Sequence, residues 1–318
     1  MDLFIKFLVA AVGAGTPLLF GTVGEILNEK VGHLNLGVEG MMAIGACAGF
    51  MAGYLSDNFA LALLAAFAAG VLAALIYAVL TVTFLANQNV AGLTMTIFGV
   101  GLSNFIGVYM LDKSGASTLK LPENVTAQMR SVTIPALSDL PVAGELLFSY
   151  NPFVYIGILV AAGCGFYLYR TKTGLNVQAI GENPAAADAA SIQVNRWKYI
   201  NILLGGGICG IGGAYCSMII NSGVWISNSV NGLGWIAVAL VIFASWSPYR
   251  ALLGSLVFGA LRVVQFYKPA FMRGISDPLF SMIPFLVTAI VLVITSIRLR
   301  PERMQPKGCG TNYDREER

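Results

Sequence analysis

Apolar runs of about the length needed to cross a bilayer alternate with short polar breaks along most of the chain. A hydrocarbon layer roughly 30 Å thick takes about 20 apolar residues in a helix. Runs that meet or approach this measure cover residues 3–26, 36–55, 59–85, 90–111, 152–169, 200–220, 233–246, 251–266 and 279–297. The pattern predicts an all-α, polytopic integral membrane protein of about nine transmembrane helices, within a range of about eight to ten. The run 233–246 is short, and with 251–266 it fits a re-entrant hairpin turning at Ser247-Pro248. The first run has only Lys6 near its start and no small-residue cleavage site after it, so it reads as a span and not a signal peptide.

The polar breaks differ in kind. From Arg170 to Ile200 the chain reads RTKTGLNVQAIGENPAAADAASIQVNRWKYI. Asn183 is a strong N-cap type, and Pro184 suits a first helical position, where its missing N–H costs nothing. Ala185 to Ala190, with Asp188 among them, completes a short helix, while Gly174 and Gly181 punctuate the approach. The expected order is loop, short helix, loop and re-entry into the membrane at Tyr199. Residues 112–151, with Pro122, Pro135 and Pro141, read as an irregular cap. The stretch 24–40 puts Glu25, Glu29, Lys30, His33, Asn35 and Glu39 between two apolar runs. It suits either a short loop or a broken helix whose freed backbone lines a cavity.

Composition removes whole classes of function. Of 318 residues 57% are hydrophobic and 11% charged, where soluble domains carry about 25% charged residues. The net charge of +3 is small and bears on orientation, not on nucleic acid. Placing 170–199 in the cytoplasm puts twelve Lys and Arg on that side and six on the other, with Arg262 inside a span. That asymmetry predicts a single transmembrane domain over 1–318, with 112–151 outside and the loop 170–199 and the tail 298–318 in the cytoplasm. The five cysteines lie mostly within apolar runs, without metal or disulfide spacing, and His33 is the only histidine. Gly45, Gly49 and Gly53 repeat every four residues, as do Gly99, Ser103 and Gly107, and Gly206 with Gly210, making small faces for close helix packing. There is no G-x-x-x-x-G-K-[ST], no H-E-x-x-H and no G-x-S-x-G, and no other catalytic constellation stands out.

Three stretches carry a family resemblance. Thr173-Gly174-Leu175, Ala179-Ile180-Gly181-Glu182-Asn183-Pro184, Ala186-Ala187 and Ala189 to Ile192 are similar to the cytoplasmic coupling motif in permease subunits of bacterial ABC importers for simple sugars, nucleosides and branched-chain amino acids. Gly32 to Met42, reading GHLNLGVEGMM, resembles the nucleoside branch. Gly232 to Leu240, leading to Trp246-Ser247-Pro248, resembles a late-span signature, although Ala244-Ser245 stand where members often carry Gly-Arg.

The resemblance implies a permease of the cytoplasmic membrane that binds no cofactor itself, ATP and magnesium being used by a separate ATPase subunit. It implies a second permease subunit, identical or paralogous, and an extracytoplasmic substrate-binding protein. Gly174, Gly181, Glu182, Asn183, Pro184, Ala186, Ala187 and Asp188 would make the coupling element. Polar and aromatic groups in or near the spans, Asn35, Glu39, Asn89, Asn104 and Trp235, are candidates for the substrate pathway, and Trp225 for an interfacial anchor. The competing class is a stand-alone secondary transporter or channel. That class wants ionisable residues deep in several helices, and the runs 59–85, 90–111 and 200–220 contain none.

Overall fold

The structure is a computed structural model. It describes residues 2–132, 143–267 and 304–314, with isolated positions between 279 and 293. Parts of the expected span 279–297, of the cap 112–151 and of the tail 298–318 lie outside the described residues.

Twelve helices are present among the described residues: α1 (Asp2–Lys30), α2 (Val38–Ser56), α3 (Phe59–Ala78), α4 (Gln88–Ser114), α5 (Glu123–Gln128), α6 (Ala143–Phe148), α7 (Pro152–Arg170), α8 (Lys172–Glu182), α9 (Pro184–Ala189), α10 (Val194–Tyr215), α11 (Leu233–Phe243) and α12 (Pro248–Val263). Two π-helical turns, Val79–Thr83 and Cys216–Ile220, lengthen α3 and α10. Among the described residues six helices are long and apolar enough to cross a membrane: α1, α2, α3 with its π turn, α4, α7, and α10 with its π turn. The protein is a multi-pass membrane protein, and α11 and α12 are shorter than a full span.

Small residues set the packing, because lipid supplies no hydrophobic drive between helices. Gly45 of α2 meets Gly210 of α10, Gly70 of α3 meets Gly206, and Gly99 of α4 meets Gly40. In each pair a methyl group would sit within 2.4 Å of a backbone atom of the partner helix. The four-residue glycine spacing read from the chain is therefore the seam of the α2–α3–α10 core and of its contact with α4.

Two helices begin inside the bundle. Residues 31–37, buried except for the half-buried Leu34 and Leu36, carry the chain back from the end of α1, so that Val38, at the start of α2, lies beside Gly21, nine residues short of Lys30. At 1.5 Å per residue that is about 13 Å above the end of α1. Of the two readings of 24–40, the structure shows a short connection, 31–37, between two separate helices, but one turned back into the bundle. α11 behaves likewise. Its preceding segment, 221–232, is hooked to the cap by Trp225 N–H donating to the Leu119 carbonyl at 3.0 Å. It then descends irregularly, and α11 runs on past Gly21, where Ala237 packs, to the end of α1. There the chain turns over Ala244 to Ser247, and α12 returns along α1, with Ser255 against Gly15 and Gly259 against Ala11. The 233–266 region is thus a hairpin whose second arm continues toward the start of α1.

Three expectations need correction. Residues 172–182 are a helix, α8, and not a loop: Gly174 and Gly181 sit where α8 touches Tyr167 and Leu168 on one side and Lys30 on the other, so their smallness serves contact. The membrane-entering helix starts at Val194 and not near Ile200, because Trp197 packs on the core and Lys198 is buried, which lets the helix outrun its apolar stretch. The segment 112–151 is not irregular throughout, since it carries α5 and α6.

Candidate functional site

The buried polar residues of the α1–α2 turn fall into two knots. Glu25 Oε2 accepts Asn28 Nδ2 at 2.8 Å and its Oε1 accepts the Asn35 amide at 2.9 Å. Asn35 Oδ1 in turn accepts the Gly37 amide at 2.8 Å, which shapes the start of α2. Four residues along α1, Glu29 Oε2 accepts Trp246 Nε1 at 2.6 Å and Gln305 Nε2 at 3.2 Å, tying α1, the α11–α12 turn and the C-terminal segment together. The carboxylates are thus held by neutral donors. His33 is fully buried, and neither ring nitrogen has a hydrogen-bond partner among the described residues. Burial, with the Lys198 charge adding to it, holds its pKa well below the usual imidazole value.

Glu39 makes the junction at which the two interior helix starts meet. It lies in the first turn of α2, and its two oxygens accept the Gly232 amide at 2.7 Å and the Gly234 amide at 2.6 Å. Those are the cap and second residue of α11, so one carboxylate faces two helix N-termini, each carrying partial positive charge. Amides that would otherwise be orphaned inside the membrane are satisfied, and the charge is offset.

A cavity of 230 Å³ opens beside this junction. Its polar lining is Glu39, Ser103, Asn104, Asn228, Ser229 and Asn231, and the rest is small apolar side chains and Gly232. Asn104 and Asn228 pair twice: Asn104 Nδ2 donates to Asn228 Oδ1 at 2.8 Å, and the Asn228 amide donates to Asn104 Oδ1 at 2.9 Å. Asn228 and Asn231 adopt left-handed backbone, φ 57 and 49, which their short polar side chains tolerate. The only ionisable side chain in the lining is Glu39, so the wall offers amides and hydroxyls that both donate and accept.

Of the pathway candidates, the structure brings Glu39 and Asn104 together at this cavity. Asn35 is buried in the turn below, Asn89 is exposed at the start of α4, and Trp235 is 38% exposed on α11, its side chain outside the cavity lining. Trp225 packs against Phe50 and Gly107 within the bundle. Asn228, Asn231 and Gln88 are not among the sequence candidates, and Trp246 enters there only within the late-span signature. The polar run Asn221 to Asn231 was the available signal for the first two.

The second candidate region is the end of the bundle bearing α8 and α9. Asn183 Oδ1 accepts the Ala186 amide at 3.1 Å and Pro184 opens α9, as its sequence predicts. Ala187 turns inward, whereas Glu182, Asn183 and Ala186 are exposed. Gly181 lies against the Lys30 carbonyl, so α8 rests directly on the end of α1 and α9 follows from it. Among the described residues no group of His, Cys, Asp and Glu could hold a metal ion.

Comparison with known proteins places this arrangement. Residues 7–292 match the family described as branched-chain amino acid transport system / permease component. The chain belongs to that family. It is 33% identical, over 99% of each chain, to a Haloferax volcanii protein provisionally named as a glucose ABC transporter permease. It is 31% identical to the nucleoside ABC transporter permease protein NupC of Lactococcus lactis, over 94% of this chain and 93% of that one. It is 32% identical to the guanosine ABC transporter permease protein NupQ of Bacillus subtilis, over 93% and 92%. This permease is therefore of the sugar and nucleoside ABC type, a transport component of the cytoplasmic membrane.

Proposed function

We propose that this permease is the membrane subunit of an ATP-driven importer that moves nucleosides inward by alternating access. The carrying observation is the Glu39–Asn104–Asn228 cavity, whose one carboxylate is already engaged by two backbone amides. A zwitterionic amino acid would find no free charged partner there, while the hydroxyls and ring amides of a nucleoside match amide and hydroxyl walls. The likeness to the Lactococcus and Bacillus nucleoside permeases supports the same reading. Glucose is the second candidate, favoured by the Haloferax relative.

In this reading α9, with Gly174, Gly181, Glu182, Asn183, Pro184, Ala186, Ala187 and Asp188 in and around it, docks on a separate ATPase that binds ATP and magnesium. Closure of that subunit would bias the bundle between two arrangements. A second permease subunit and an extracytoplasmic binding protein complete the complex, with the α8–α9 end facing the cytoplasm.

The test is uptake by the permease reconstituted in liposomes with the ATPase and binding protein from its neighbouring genes, using labelled guanosine, adenosine, glucose and leucine. ATP-dependent accumulation of a nucleoside is expected. Accumulation of leucine alone would refute the cargo, and flux driven by an ion gradient without ATP would refute the mechanism.

A further inference from the structure

The C-terminal segment 304–314 lies beyond the family match, which ends at 292. It crosses the α8–α9 end of the bundle and bonds to nearly every element there. Gln305 Nε2 donates to Glu29 Oε2 at 3.2 Å, reaching the end of α1. Pro306 is buried against Gly181, and the Gly308 amide donates to the Gly181 carbonyl at 2.8 Å, reaching α8. Asn312 Nδ2 donates to the carbonyls of Leu85 and Ala86, in the turn between α3 and α4. Leu85 has a φ of 53 there, unusual for a bulky side chain, so the segment fastens a strained turn.

Two side chains make this strap a link between moving parts. Gln88, buried in the first turn of α4, accepts the Leu34 amide on Oε1 at 2.8 Å and donates from Nε2 to Asn312 Oδ1 at 3.1 Å. One amide therefore reads the buried α1–α2 turn on one side and the strap on the other. Tyr313 donates its hydroxyl to Asp188 Oδ2 of α9 at 2.9 Å, and its ring lies 6.0 Å from Lys198 Nζ of α10. The strap also walls a cleft of 740 Å³ that α9, the start of α10 and the end of α3 complete.

We infer that residues 304–314 are a coupling strap: they carry displacement of α9, through Asp188–Tyr313 and Asn312–Gln88, to the buried turn that starts α2 and thus to Glu39. The inference rests on the reading of α9 as the ATPase-docking helix. A short helix on a flexible loop would pivot against the spans and dissipate the ATPase stroke. Bonds from one strap to α9, to the α3–α4 turn and to α1 make the stroke move them as a unit.

The test uses the full complex in liposomes and reads solute imported per ATP hydrolysed. Three variants are compared: a chain ending at residue 303, the double substitution Asn312→Ala with Tyr313→Phe, and Ala186→Trp on the exposed face of α9. The double variant should assemble with the ATPase and hydrolyse ATP at a rate close to the parent. Its import per ATP should fall about tenfold, an ordinary size for coupling between sites. The truncated chain should behave alike, and where it fails to insert, the double variant decides. An unchanged ratio in the double variant overturns the strap. Ala186→Trp examines the reading of α9 separately: undiminished assembly and ATP hydrolysis would refute docking at α9, whatever the strap variants do.

Discussion

Trp246 donates its indole N–H to Glu29 at 2.6 Å, joining the turn between α11 and α12 to the last turn of α1. Both residues are buried, and Trp246 holds a left-handed φ of 54. The bond therefore fixes a strained turn to a carboxylate that has few other donors. Trp246→Phe keeps the ring and removes the donor. It should lower unfolding stability in detergent by about 1–3 kcal/mol, as expected for a buried acceptor that loses a partner. A thermal unfolding profile matching the parent would show that the remaining donors, Gln305 and Cys309, satisfy Glu29.

Glu39 should divide by chemistry. Glu39→Ala leaves the Gly232 and Gly234 amides without an acceptor, each at a cost of about 1–3 kcal/mol. Glu39→Gln retains one carbonyl oxygen and should recover part of the stability, with uptake intermediate between parent and Ala. Equal damage in both variants would mean that the negative charge between the two helix starts matters more than the acceptor geometry.

Glycines can be sorted by what surrounds them. A methyl at Gly181 would stand 2.3 Å from the Lys30 carbonyl, and one at Gly174 would stand 2.0 Å from the Tyr167 carbonyl, whereas nothing lies within 4 Å at Gly163. Gly174→Ala and Gly181→Ala should each destabilise by about 1–3 kcal/mol through overpacking. Gly163→Ala, in the middle of α7, should be neutral or stabilising by up to about 1 kcal/mol, from helix propensity. Expression yield and thermal unfolding of the three variants check the order.

His33 predicts an acid-sensitive fold. Its folded pKa lies well below that of the unfolded chain, so the native protein holds it neutral while the unfolded chain takes up a proton below about pH 6.5. Above that pH both states are neutral and His33 adds no slope. Below it, stability is lost at up to about 1.4 kcal/mol per pH unit until the folded pKa is reached. Unfolding measured between about pH 7.5 and about pH 5.5, one unit either side of the unfolded imidazole value of about 6.5, should show this loss in the parent and a shallower one in His33→Gln. Parallel profiles would assign the acid sensitivity to carboxylates instead.

Much of this fold can be read from the chain because it is written in local signals. Six spans announce themselves as long apolar runs, the glycine repeats mark the α2–α3–α10 seam, and Asn183-Pro184 starts α9 where capping chemistry requires. What escapes reading depends on depth and on distant partners. Where α2 begins is decided by the packing of residues 31–37 beneath Tyr77 and Gln88, and no nearby residue encodes that. α8 is masked by two glycines that count against a helix by propensity and are kept for contact. At the cavity, Glu39 and Asn104 stand out as polar groups in apolar surroundings, but so does Asn35, whose bonds shape a turn. The strap has no apolar run at all, and its importance lies wholly in partners more than 120 positions away.

The irregular segment 221–232 has one more property. Its upper part is bonded to the cap through Leu121–Gly223 and Trp225–Leu119, and its lower end supplies the Gly232 amide that bonds Glu39, the second amide coming from Gly234 just inside α11. Cap and cavity floor are therefore in mechanical series along the main chain, with no sliding interface between them. A protein pressing on residues 115–132 would tug directly at the Glu39 clasp, and a solute wedged beside Asn228 would pull on the cap in return.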